Sequence, residues 1–317
     1  MAKTIVIALG GNAILQDGEQ GTAAEQLRNI ESVCTYIVPL VRDGHRLILT
    51  HGNGPQVGNL LIQQEEAEDI VPMQPLDICV GMTQGQIGTM LQQALTNALR
   101  EAGIQRDVVT VISHFLVSAD DPDFQVLSKP VGPFMGSELK ERYEQRGHTI
   151  REIRKGHERP YRRCVASPAP LRLLEKRALK LLSDSGAIVI AAGGGGIPVV
   201  LDAEGAYRKV ESVIDKDLAG EKLAESVSAD IYLILTNVDK VALNYGTDRQ
   251  EELHRVTVSD ARRYYQEGHF AGGSMGPKVL SCIDFIEFGG EVAIITGLES
   301  AARAINCDAG TRIVPDG

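Results

Sequence analysis

The sequence predicts an α/β protein built on a mainly parallel sheet, and three observations carry that prediction. Short apolar runs at residues 4–9, 46–50, 187–192, 231–236 and 292–296 are bounded like strands; the 187–192 run lacks alternation, which suits a strand covered on both faces. Helical stretches with apolar stripes alternate with these runs. Glycine clusters break them at their carboxyl ends, the edge at which open α/β sheets bind ligands.

In chain order, strand 4–9 ends in Gly10-Gly11-Asn12, and a helix over residues 23–43 follows, with an apolar stripe that stops at the capping Gly44. Strand 46–50 ends in Gly52-Asn53-Gly54, and Pro55 opens a helix where a missing N–H costs nothing. A long helix over 76–102 carries Ile78, Met82, Ile87 and Leu91 on a stripe that is either core or a subunit interface. Residues 107–112 read as a strand. Residues 118–165, rich in Pro, Gly and charge, read as an inserted lid subdomain. A helix over 169–183 feeds strand 187–192, which breaks into Gly193 to Gly196. After a hairpin near 202–210, a helix starts at Asp215-Lys216-Asp217 and runs to 227. Thr257 to Asp260 form a capping box, and Pro277 takes the first position of a helix that ends at Gly289. The segment before it brings Gly272, Gly273 and Gly276 up to Lys278. Two lobes are expected, 1–205 and 206–317.

The 317 residues, 43% apolar and 23% charged, suit a soluble globular chain of one large or two ordinary domains. A net charge of −10 argues against a general nucleic-acid or membrane-surface binder, and no apolar run reaches the ~18 residues of a spanning helix. The N-terminus lacks the features of a secretion signal. Five scattered cysteines, among them Cys307, show no metal-binding spacing, so reduced thiols in a cytoplasm and no side-chain metal site are expected.

One glycine-rich turn can simply connect two elements; four of them, two with a lysine, point to phosphate held by backbone amides and free ammonium groups. The usual single-loop devices are absent: no Gly-Lys pair occurs, no GxGxxG follows a strand, and no kinase HRD or DFG is present. Such an arrangement suits phosphoryl transfer, whose loose transition state spreads negative charge over the migrating oxygens. Lys216 and Lys278, each at a helix start, are the candidate catalytic cations, and Asp215 or Asp217 would hold them in place. Lys129, extended by the following proline, is either a reaching side chain or an exposed surface lysine. The basic run at 146–163 is either a solvated face or a site for an anion. Magnesium would arrive on nucleotide phosphates. No histidine stands beside a nucleophile, which fits an acceptor that is already an anion and needs no general base.

The segments ALGGNAI, THGNGPQVGNL, KPVGPF, YRRCVASPAP, GGGGIPV, VIDKDLA, ILTNVDKVALNYG, EGHFAGGSMGPKV and GTRIV, in order over nearly the whole chain, resemble the carbamate kinases. The resemblance implies the amino-acid kinase fold, a three-layer αβα sandwich. It implies reversible phosphoryl transfer between carbamoyl phosphate and ADP, magnesium and a homodimer. It puts the small substrate against Gly10, Gly11, Asn12, Gly52, Asn53, Gly54, Gly194, Gly195 and Lys129. It sets Lys216 and Lys278 on the transferring group with Asp217 organising them, and the nucleotide near Asn237, Tyr245, Met275 and Gly276. Departures lie in the insert: REIRKGHERP replaces an acidic, glycine-containing run, and VLSKP precedes where PTKP is typical. A different acyl phosphate, or nucleotide binding without turnover, therefore stay as alternatives.

Overall fold

The computed structural model describes residues 2–270, 275–306 and 309–317; the Gly272 and Gly273 edge and Cys307 lie outside the described residues. The first part of the chain forms β1 (Thr4–Leu9), α1 (Ala23–Arg42), β2 (Arg46–His51), α2 (Gly54–Glu66), α3 (Leu76–Glu101), β3 (Val108–Thr110) and β4 (His114–Val117). The insert forms β5 (Lys129–Met135), α4 (Ser137–Gln145), β6 (Ile150–Glu152) and β7 (Tyr161–Val165). There follow β8 (Pro170–Leu173), α5 (Lys176–Asp184), β9 (Ile188–Ile190), β10 (Ile197–Leu201), β11 (Tyr207–Lys209), α6 (Lys216–Val227) and β12 (Ile231–Thr236). The chain ends through β13 (Ala242–Leu243), β14 (Glu251–Glu252), β15 (Arg255–Thr257), α7 (Val258–Gln266), α8 (Met275–Phe288), β16 (Val292–Gly297), α9 (Ala301–Ile305) and β17 (Thr311–Val314).

Eight strands make the central sheet, in the order β15-β17-β16-β12-β1-β2-β9-β3, with β16–β17 its antiparallel pairing among otherwise parallel neighbours. The pleat sends alternate residues to opposite faces. Val6, Ala8 and Ile48 enter the apolar layer under α5, α6 and α8; Ile5, Ile7, Leu47 and Leu49 enter the one under α1 and α3. Both layers are buried, which is why the strands carry no polar alternation. The expected parallel α/β sandwich is thus observed.

Two helix boundaries differ from expectation. Residues 169–183 are not one helix: Pro170 to Leu173 pair antiparallel with β4, and α5 begins only at Lys176. Pro168 and Pro170 hold their neighbours extended, so the apolar residues after them are read by a sheet. A four-stranded sheet, β11-β10-β4-β8, results, and it contains the expected 202–210 hairpin. Pro277 is the third rather than the first residue of α8. Thr257 does cap α7, accepting from the Asp260 amide at 3.2 Å.

Residues 129–165 form their own three-stranded sheet, β5-β7-β6. It is fastened to α2 in two ways. Glu65, buried on α2, accepts from Arg163 at 2.5 Å and lies 3.1 Å from His148. Gly58 of α2 meets the backbone of β5 directly, so that a Cβ there would stand 1.9 Å from Gly132 Cα. Backbone cannot yield as a side-chain tip can. Gly58→Ala is therefore expected to lower stability by about 1–3 kcal/mol, as overpacking does, and to lower turnover by displacing the strand that carries Lys129. Thermal unfolding and turnover measured together check this; an unchanged midpoint would show that the two backbones are not in contact.

Candidate active site

A cavity of about 410 Å³ opens where the carboxyl ends of β1 and β12 lie side by side. From β1 the chain turns one way to β2, whereas β12 leads the other way to β16, so the cavity sits at a switch point of the sheet. Gly10 makes the join possible: its amide donates to the Leu235 carbonyl at 2.9 Å, and a Cβ would stand at that same distance from the oxygen. Gly10, Gly11 and Asn12 line one wall and Thr236 and Asn237 the other.

Into this cavity three lysines converge from three separate elements: Lys129 at the start of β5, Lys216 at the first position of α6, and Lys278 from α8. Two aspartates at the start of α6 hold them. Asp215 caps the helix, accepting the Asp217 amide at 2.8 Å through one oxygen, and receives the Lys129 ammonium on the other. Asp217 takes Lys216 on one carboxylate oxygen and Lys278, at 3.1 Å, on the other. The Tyr232 hydroxyl donates to the Asp217 carbonyl at 2.8 Å and fixes the turn from below.

The electrostatics follow from that geometry. Burial opposes ionisation of Asp215, but Lys129 and Lys216 outweigh it and hold the carboxyl at about 2. Burial, and then the neighbouring Lys216, push the Lys278 ammonium below the usual lysine value against the pull of Asp217. With Arg154 and Asp17 also in the lining, four cations face three carboxylates at a helix N-terminus. Such an excess of cations at a helix N-terminus suits an anion.

The remaining predicted residues fall into two groups. Gly52 stands beside the site, with its Cβ position 3.3 Å from Lys216 Cδ and 3.8 Å from the Gly11 amide, and Gly54 abuts Arg162. Asn53 turns inward, donating to Thr83 at 2.8 Å. Gly194 and Gly195 are buried and do not line the cavity. Their missing side chains make room for the Asn53 amide and the Ile214 carbonyl, each about 2 Å from where a Cβ would be. Met275 and Gly276 begin α8 without reaching the lining, and Tyr245 is exposed on the loop after β13. Pushed down to about 4 by burial, His51 is a neutral ring outside the cavity.

Nothing in the sequence sets Arg154 apart from its neighbours. It lies in the basic run 146–163, stacks on the Phe134 ring at 4.1 Å and approaches Asp17 at 3.7 Å. Arg162, from the same run, lies 5.2 Å from the centroid of that ring, and burial lowers its guanidinium to about 10. Among the described residues no group of three or more His, Cys, Asp or Glu could hold a metal ion, and Asp215 and Asp217 are engaged by lysines.

The amino acid kinase family model matches residues 3–297. The carbamate kinase of Pyrococcus furiosus is 48% identical over 99% of this chain and 100% of its own. Two solved structures of the Giardia lamblia carbamate kinase superpose over 99% of both chains at 38% identity. The one bound to citric acid gives a TM-score of 0.93, and the one bound to AMP-PNP gives 0.91. The chain belongs to the amino acid kinase family, among its carbamate kinases.

Proposed function

We propose that the chain transfers a phosphoryl group reversibly between carbamoyl phosphate and ADP, giving carbamate and ATP. The observation that carries this reading is the convergence of Lys129, Lys216 and Lys278 on the Asp215–Asp217 pair at one sheet edge. In this reading carbamoyl phosphate lies against Gly10, Gly11, Asn12 and Gly52, with Lys129 reaching it from β5 and the loop of Asn53 and Gly54 behind. ADP enters from the side of Asn237, over residues 206–317, with Tyr245, Met275 and Gly276 at its margin; the AMP-PNP-bound relative supports a nucleotide site in this fold.

Lys216 and Lys278 would neutralise the oxygens of the migrating group, whose transition state is rich in negative charge and poor in bonding. Because Asp217 already orients both ammoniums, little reorganisation is needed as that charge develops. Carbamate is an anion and needs no base to attack, which agrees with a cavity whose described lining includes no histidine. Magnesium suits the site only as a passenger on the nucleotide phosphates, where it would offset phosphate charge, since the cavity carboxylates are paired with lysines. Ile78 and Met82, exposed on α3, would form the surface between two copies of a homodimer. No described helix is long and apolar enough to cross a membrane.

The test is ATP formation from ADP with carbamoyl phosphate, run beside the same assay with acetyl phosphate and with the magnesium chelated. Rapid turnover of carbamoyl phosphate, slow turnover of acetyl phosphate and loss on chelation are expected. Faster turnover of acetyl phosphate would reassign the acceptor, and binding of ADP without any turnover would remove the enzyme reading.

A further inference from the structure

A second cavity, of about 600 Å³, lies between α5 and α6 and shares no lining residue with the reaction cavity. Strand β8 and Phe288, the last residue of α8, complete it. Two properties set it apart from ordinary surface. Leu171, Leu181 and Phe288 meet here although they are 54%, 71% and 56% exposed. Around them stand five cations, Arg172, Lys176, Arg177, Lys180 and Lys222, in a chain whose net charge is −10.

The carboxylates nearby offset two of these cations, Lys180 and Lys222, and leave the rest. Asp184 is engaged by Lys180 at 3.2 Å and by Arg46, and Glu225 by Lys222 at 2.7 Å. Glu175, next to Lys176 in the chain, spends both oxygens on His114, one on its amide and one on its ring, each at 2.9 Å. Lys176 and Arg177 form no ion pair among the described residues. They also sit in the first turn of α5, where the helix dipole disfavours positive charge. The fold therefore carries two uncompensated cations, Lys176 and Arg177, beside exposed apolar side chains, at some cost to its own stability.

We propose that this groove is a binding site for a small amphipathic organic anion. An apolar body lies on Leu171, Leu181 and Phe288, and its carboxylate, sulfonate or phosphate is held by Lys176, Arg177 and Lys180. The volume is that of a small-molecule pocket, about 300–1,000 Å³. A second copy of the chain is a poor occupant, because a two-fold interface would set one cationic groove against its twin.

The probe is 8-anilinonaphthalene-1-sulfonate, titrated by fluorescence into the full chain with ADP saturating. Saturable binding is expected. Arg177→Glu with Lys180→Glu, and separately Leu181→Asp, should each weaken it by about tenfold or more. Decanoate or phenyl phosphate should displace the probe, whereas inorganic phosphate and decyltrimethylammonium at equal concentration should not. Turnover of carbamoyl phosphate by the charge-reversed variant should stay at its original rate, with the chain still folded at the assay temperature. Equal affinity in the variants would overturn the proposal, as would displacement by raising ADP further or by the cationic surfactant. A change in the mass of the variant in solution would also overturn it, by giving the groove to a second copy.

Discussion

Replacing Lys216 with alanine is expected to lower kcat for ATP formation by about 10²–10³-fold while KM for ADP moves only a few-fold. Lys216 occupies the first position of α6, so its ammonium adds to the positive end of the helix rather than standing alone. Asp217 holds it on one oxygen, and its stem lies against Gly52 beside the cavity. A charge so placed acts most strongly when the phosphoryl group is between donor and acceptor, which assigns its effect to kcat. The loss corresponds to about 3–4 kcal/mol at 1.36 kcal/mol per tenfold. The helix itself should survive, because Asp215 caps it through the residue 217 amide and does not use the Lys216 side chain. Steady-state kinetics on the folded variant decide the matter. Turnover near the original rate would take Lys216 out of the mechanism, and a raised KM with kcat intact would reduce it to a binding group.

The parts of the fold that were legible in the sequence are those where one physical requirement dominates. Strands β1 and β12 end where expected because both faces are buried and the run stops at the sheet edge. Helix α6 starts where expected because an aspartate cap and a first-turn aspartate mark it. Pro170 to Leu173 read as helix in the sequence because a few apolar residues beside a helical stretch do not reveal their sheet partner; only β4 does. The glycines show the same limit. Residues 193–196 announced that something approaches the backbone closely, but Gly194 and Gly195 admit Asn53 and Ile214 rather than the cavity. Arg154 is the opposite case. Its neighbours in the run make it look like solvated surface, and it reaches the cavity only because the β5-β7-β6 sheet folds back against α2. Spacing along a chain cannot encode that return.

The second large effect belongs to Asp217, and it is one of stability before it is one of rate. Asp217 is 3% exposed and Lys278 4%, and Lys216 shares the same carboxylate. Two ammoniums drawn into a low-dielectric site repel each other, and the Lys278 shift already records both burial and that repulsion. The carboxylate between them is what makes the arrangement tolerable. Asp217→Ala removes it while leaving both cations at a helix N-terminus, and is expected to cost about 3–5 kcal/mol in urea unfolding, as breaking other buried pairs does. Adding Lys278→Met to that variant takes away one of the two repelling charges and should restore part of the lost stability. The double variant should nevertheless turn over far more slowly than the original chain, since one of the two cations proposed for the phosphoryl oxygens is gone. Strictly additive stability changes around this cycle would mean that the charges are solvated independently, and the picture of a shared carboxylate would fall.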